Sequence, residues 1–158
     1  GAEIIPGLEL YGCYTREEVF TLVGRQTAEV KMQGTASGAF NLPEHNAVLL
    51  FVTLNKSEKD FSPSTQYNDY LINDEYFHWQ SKNTDSHYNS GGRKYIEQPK
   101  TGIKIILFVR DEKKDGFGNT SPFHCFGLVD YISSHDDCPM NVKWKLQKPA
   151  MAQYLKAI

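Results

Sequence analysis

The apolar positions of this chain gather into a few dense runs separated by long polar stretches. Ala47 to Leu54 (AVLLFVTL) is unbroken and rich in β-branched residues, and Ile103 to Arg110 (IKIILFVR) repeats the pattern. Runs of this kind predict strands covered on both faces. Phe123 to Ile132 (FHCFGLVDYI) predicts a third long strand with Gly127 as a candidate bulge. Asn141 to Leu146 places Val142, Trp144 and Leu146 at every second position, the period of a half-buried strand.

One short helix is signalled near the start. Thr15-Arg16-Glu17-Glu18 is a capping box, Val19, Phe20, Leu22 and Val23 follow it, and Gly24 supplies a stop. Gln33 to Pro43 reads as an irregular segment with Phe40 as its one large anchor. Between the first two strands lies an insertion, Asn55 to Lys100, too long for an ordinary loop and therefore expected to carry function or secondary structure. Its centre, Tyr67 to Ser81, interleaves aromatic and polar residues, and Lys82 to Gly92 reads as a mobile Asn/Ser/Gly-rich arm ending at Arg93-Lys94. The strands are not separated by helices in a βαβ rhythm, and no repeat or linker divides the chain. The expectation is one domain over residues 1–158, α+β but mainly β, with a barrel-like sheet.

Composition changes this picture in three ways. Nine Phe, nine Tyr and two Trp are a high aromatic share for 158 residues and point to sheets, stacking surfaces or both. Cys13, Cys125 and Cys138 are odd in number and widely spaced, so neither a disulfide framework nor a zinc knuckle is indicated, and Cys125 reads as core. No apolar run is long enough to span a bilayer and no signal-type start is present, so a soluble, cytoplasmic protein without a membrane partner is expected. The start Gly1-Ala2-Glu3, without Met, reads as a piece of a larger protein.

The net charge of −2 argues against strong sequence-independent binding of nucleic acid. Its distribution is uneven, however. Arg93 to Lys114 carries seven basic residues against three acids, Cys138 to Ile158 carries four lysines and no acid, and Glu58 to Glu75 carries five acids and one lysine. Such segregation can build a basic face, although charge runs are commonly just solvated surface.

Catalytic signatures are absent: there is no phosphate loop, no dinucleotide glycine pattern and no nucleophile elbow. The five histidines lack metal-ligand spacing, and His135-Asp136-Asp137-Cys138 before Pro139 reads as a polar turn rather than a metal site. Cys125 and His124 are neighbours on a strand and point to opposite faces, so they do not pair as nucleophile and base. Asp69, Asp74 and Glu75 lack a nuclease-like spacing with a following lysine. No enzyme activity, no cofactor and no metal are therefore expected of this domain.

What remains is the aromatic insertion. Capture of an extruded base needs flat rings to enclose it, a polar group for its Watson–Crick edge and basic residues for phosphates. Tyr67, Asp69, Tyr70, Trp79, Gln80 and Ser81 are the candidate base-binding residues, with Tyr70 and Trp79 as stacking rings and Asp69 as amine acceptor. Lys56, Lys82, Arg93, Lys94 and Arg110 are the candidate backbone contacts. Against this, many such aromatics serve only as core, Phe77 above all. Alternation also puts Phe77 and Trp79 on one face and His78 and Gln80 on the other, so the whole set does not line one pocket.

Leu50 to Thr65, Tyr67 to Tyr70, Phe-His-Trp-Gln-Ser at 77–81, Leu107 to Arg110, Pro139 to Leu146 and the helix start Tyr14 to Val19 together resemble a family. It is the uncharacterised domain at the C-terminus of bacterial superfamily-2 helicases, which often carry an N-terminal phospholipase-D-type nuclease. The resemblance covers nearly the whole chain. It implies a target reader working with helicase and nuclease domains of the parent protein, as in SauUSI-like modification-dependent restriction enzymes. By analogy the fold would be a PUA/SRA-like or related DNA-binding pseudobarrel with short flanking helices.

The resulting expectation is recognition of 5-methyl- or 5-hydroxymethylcytosine in double-stranded DNA by base flipping. A methyl group offers only about 0.8 kcal/mol of burial, so pocket shape must contribute to discrimination. Two alternatives belong to other classes: a protein-interaction domain that docks the helicase motor, and a sequence-specific reader of unmodified DNA.

Overall fold

The computed structural model describes residues 3–25, 38–55 and 69–155. Its chain order is β1 (Glu3–Ile5), β2 (Leu8–Glu9), β3 (Cys13–Tyr14), α1 (Arg16–Leu22), β4 (Ala39–Leu42), β5 (Ala47–Asn55), β6 (Tyr70–Leu71), β7 (Tyr76–Gln80), α2 (Ser90–Ile96), α3 (Gln98–Thr101), β8 (Lys104–Glu112), β9 (Phe123–His135) and β10 (Asn141–Leu146). β1 and β2 form a small hairpin; the remaining strands form one mixed sheet in the order β4-β5-β8-β9-β10-β7-β6, with β3 paired to the start of β9. The fold is α+β and mainly β.

The sheet's centre follows from the two unbroken apolar runs. β5 and β8 lie side by side and parallel, with Phe51 opposite Phe108. Every other neighbour pair is antiparallel. Alternation sends Val48, Leu50, Val52, Ile105, Leu107 and Val109 to one face and Leu49, Phe51, Ile106 and Phe108 to the other. The second face is covered by Val19 and Phe20 of α1 with Ile5 and Leu8. The first face meets Phe77, Trp79, Tyr95 and Trp144. Each such side chain, fully buried, contributes about 1.5–3 kcal/mol, which is why both runs can be apolar throughout.

Three local features match the residue pattern. Thr15 caps α1, its Oγ1 accepting from Glu18 N while Glu18 Oε1 accepts from Thr15 N. β10 keeps the expected alternation of buried Val142, Trp144 and Leu146 with half-buried neighbours. Gly127 sits at a break in the β8–β9 register with φ of +81°, and a Cβ there would meet Leu10 Cδ1 at 2.9 Å. Both constraints select glycine.

Two expectations need correction. Ala39–Leu42 is a strand rather than irregular chain, so Phe40 sits on β4, pairing with Leu49. The insertion carries secondary structure, as expected: β6, β7, α2 and, at its end, α3. The segment read as a mobile arm is an ordered turn followed by α2, which Asn89 caps through Oδ1 to Gly92 N. A Cβ on Gly92 would approach Ser86 O to 2.0 Å, so tight packing of helix on turn requires glycine there.

Candidate functional site

β7 and β10 are paired so that Trp79 lies opposite Val142 and Phe77 opposite Trp144. Cross-strand partners share a face, so both tryptophans project into the core. α2 lays Tyr95 across them. The Tyr95 ring meets Trp79 at 5.1 Å and Trp144 at 5.8 Å, both edge-on, and Trp79 and Trp144 are 6.2 Å apart. Tyr131 of β9 meets Trp144 edge-on at 6.2 Å.

This aromatic cluster has a feature that an ordinary core lacks. Among the described residues, four buried side-chain polar atoms have no hydrogen-bond partner; Tyr95 Oη and Trp144 Nε1 belong to this cluster, and Asp85 Oδ2 lies on the turn whose charge acts on Tyr95. The fourth, Arg16 Nε, lies on the opposite face near Phe51 and Phe123. Leaving such a group unpaired costs about 1–3 kcal/mol, so three around one cluster need an explanation. Asp85 is only 2% exposed, and its burial raises the carboxyl pKa against the opposing pull of Lys82 and Lys94. Burial also raises the Tyr95 hydroxyl, with the Asp85 charge adding to it.

The turn carrying Asp85 is tied down at several points. Ser81 Oγ accepts from Met140 N and donates to Lys82 O, and Cys138 N donates to Asp85 O. His87 N donates to Asp137 Oδ1, His87 Nδ1 lies 2.7 Å from the same oxygen, and Nε2 lies 2.8 Å from Ser134 Oγ. Tyr131 Oη reaches Ser134 Oγ at 2.7 Å. The Asp–His–Ser order is that of a hydrolase relay. Here, however, Asp137 is well exposed and Ser134 is shared with Tyr131, so the chain acts as a clasp between the turn and β9. The two hydrogen bonds from His87 hold the Asp137 carboxyl below its ordinary range.

The base-binding candidates divide as alternation requires. Trp79 and Ser81 are buried on the cluster side of the sheet. Tyr70, 45% exposed, lies on the other side, stacked flat on His78 at 4.6 Å. Gln80 Nε2 donates to Asn141 Oδ1, and Asp69 Oδ1 accepts from Gln80 N, so Asp69 stays at the β6–β7 edge and does not enter the cluster. On the same outer side, Lys143 and Lys145 place their ammonium groups 4.6 and 5.3 Å from the Tyr76 ring centre. Tyr67 lies outside the described residues.

The basic candidates divide as well. Lys82 is exposed, Arg93 pairs with Glu97 at 2.9 Å, and Lys94 donates to Asn41 Oδ1 while burial lowers its pKa. Arg110 is not a surface contact. It is 4% exposed, donates to Thr53 Oγ1 and Ser121 O, and lies over the Phe123 ring. Lys56 lies outside the described residues. Asp85, Tyr95 and Trp144 were missed as polar groups. The Trp144 position was legible in the β10 alternation, whereas nothing in the sequence marks Asp85 as buried.

A cleft of about 350 Å³ lies elsewhere, lined in part by Asp111, Glu112, Asp115, His124 and Tyr154. His124 Nδ1 is 2.6 Å from Tyr154 Oη; burial lowers the His124 pKa and pushes Tyr154 up to about 12. Arg110 and Lys114 line it too, so acids and bases are mixed there. No described helix is long and apolar enough to cross a membrane, and no group of metal-ligating side chains occurs among the described residues.

The family model described as "Domain of unknown function (DUF3427)" matches residues 8–157. No curated protein matches the chain.

Proposed function

The chain belongs to the DUF3427 family, and we propose that it is a DNA-recognition domain that takes an extruded modified cytosine, 5-methyl or 5-hydroxymethyl, into the Trp79–Tyr95–Trp144 cluster. The proposal includes a PUA/SRA-like pseudobarrel for the mixed sheet and its flanking helices. It also includes a place beside the helicase and nuclease domains of a larger chain, by the resemblance given above.

The observation that carries the reading is the set of three unpartnered polar atoms around one group of rings. Asp85 is an acceptor, Trp144 Nε1 a donor, and Tyr95 Oη can act as either. The Watson–Crick edge of cytosine offers the complement: one amine donor and two acceptors. Guanine offers two donors and one acceptor, and adenine a single pair, so the set matches a pyrimidine when Tyr95 Oη donates. Thymine has the same count in another order, with its acceptors flanking the donor, and a carboxylate at the exocyclic position favours the cytosine amine. Trp79, 4% exposed and packed on Tyr95 and Trp144, would have to part from them to offer its face to the ring, and desolvation of the site makes each correctly paired group discriminating.

Lys82, Arg93 and Lys94 lie on the segments that bracket Asp85 and are the phosphate contacts of this reading. They are few, which suits a domain of net charge −2 whose specificity comes from the base.

The test is equilibrium binding to matched duplexes that differ only in one 5-methylcytosine, with 5-hydroxymethylcytosine and thymine at the same position, at two salt concentrations. Tighter binding of modified cytosine at both salts supports the reading. Equal affinity for all four removes it and favours a reader of unmodified DNA; lack of binding even at low salt favours a docking role.

A further inference from the structure

Tyr88 is 89% exposed, yet the turn that presents it is among the best anchored loops described. Tyr88 N donates to Ser86 Oγ, and Ser86 N donates to Asn89 Oδ1. Asn89 Nδ2 donates to Thr84 O, and the residue before Tyr88 is clasped to Asp137 and Ser134. An aromatic ring held out into water on a fixed turn gains nothing for the fold. The same turn carries buried Asp85, three residues away, whose charge acts on the Tyr95 hydroxyl, and exposed Lys82 and half-exposed Arg93 flank it.

We propose that Tyr88 is a wedge that enters the DNA stack beside the extruded base. The inference rests on the base-capture reading above and adds the element that makes capture from a paired duplex feasible. Extrusion leaves a gap between neighbouring base pairs, and a flat ring restores stacking there. Rigid presentation matters because a ring already fixed in place loses little conformational freedom on insertion. Phe117, 93% exposed at the tip of the β8–β9 turn, has comparable exposure, but none of the buried unpartnered polar atoms among the described residues lies on its turn.

The experiment compares the whole chain and its Tyr88→Ala and Tyr88→Phe variants on two 5-methylcytosine duplexes. In one the target base is fully paired; in the other it faces an abasic site, where no pair has to be broken. We expect Tyr88→Ala to weaken binding of the paired duplex by roughly 10-fold or more and of the abasic duplex by less than about 3-fold, with Tyr88→Phe close to the parent on both. The exposed ring has no packing to lose, so an unchanged thermal midpoint accompanies that result. Equal losses on both duplexes, or no loss on either, overturn the wedge while leaving base capture standing. If the parent chain itself binds modified and unmodified duplexes equally, base capture fails and the wedge fails with it.

Discussion

Tyr95 meets Trp144 edge-on at 5.8 Å, and the polar atom of each ring is buried with no partner. The contact joins α2 to β10 across the inner face of the sheet, where hydroxyl and indole N–H would ordinarily be paired. Asp85 beside them adds an unpartnered carboxylate oxygen. A fold that keeps three such groups in one place sacrifices stability there, as binding sites commonly do.

Replacing Asp85 should therefore separate stability from recognition. Asp85→Asn keeps the shape and removes the buried charge, so the unliganded domain should gain about 1–2 kcal/mol or remain unchanged. Binding of a modified duplex should fall by roughly 10-fold or more, since the carboxylate acceptor for the amine is lost. Urea denaturation and anisotropy titration of the same preparation measure both. A variant that loses stability while binding normally would place Asp85 among structural residues.

The pH dependence follows from the direction of the Asp85 shift. Its carboxyl pKa is raised in the folded chain by burial, so the folded state holds that proton more tightly than the unfolded state. Stability from this group is present below the ordinary carboxylate range and declines as pH rises through the raised folded value. Asp137 has the opposite sign: hydrogen bonds from His87 lower it, so its contribution is present above the ordinary range and fades as pH falls. Comparing the parent with Asp85→Asn across pH 3–7 should remove the declining component and leave the acid-side loss (range set by ordinary carboxylate titration, roughly pH 3–7).

The two rings expected to stack on a base should respond differently to truncation. Trp79 is 4% exposed and packed against Tyr95 and Trp144, so Trp79→Ala should cost about 3–5 kcal/mol of folding stability. Tyr70 touches His78 on one side and is 45% exposed, so Tyr70→Ala should cost about 1 kcal/mol or less. To isolate recognition at Trp79, Trp79→Phe retains an aromatic ring; it should stay folded and lose part of the modified-base preference in the duplex titration.

The difference between those rings was partly legible in sequence. Strand period separated Phe77 and Trp79 from His78 and Gln80, and the unbroken runs located β5 and β8 because both of their faces are covered. The parallel pairing of those runs was not legible, since it depends on a crossover through α2 and α3. α2 was hidden because Ser90-Gly91-Gly92 has low helix propensity; its Asn89 cap and the burial of Tyr95 override that. Asp85 was hidden for a related reason. In a stretch of Asn, Thr, Ser and His, an acid reads as solvated, and only the packing of turn against helix removes its water.

His87 offers the means to ask whether rigidity of that turn matters separately from the ring it presents. Its ring joins Asp137 to Ser134 through contacts of 2.7 and 2.8 Å, and Ser134 is in turn bound to Tyr131, which packs on Trp144. The clasp thus links the exposed turn to the aromatic cluster. His87→Ala leaves Asp85 and Tyr88 in place but removes both side-chain contacts, and because the pair is exposed to solvent the global stability should change little. Hydrogen exchange at residues 84–89 should accelerate while exchange in β8 and β9 stays slow, because the opening is local. Binding of the paired 5-methylcytosine duplex should weaken by roughly 3- to 10-fold, since a loosened turn must be reordered on insertion. His87→Gln, able to donate to one partner, should recover part of that loss. If exchange accelerates in the turn while duplex affinity is unchanged in both variants, the clasp serves folding alone and preorganisation plays no part in recognition.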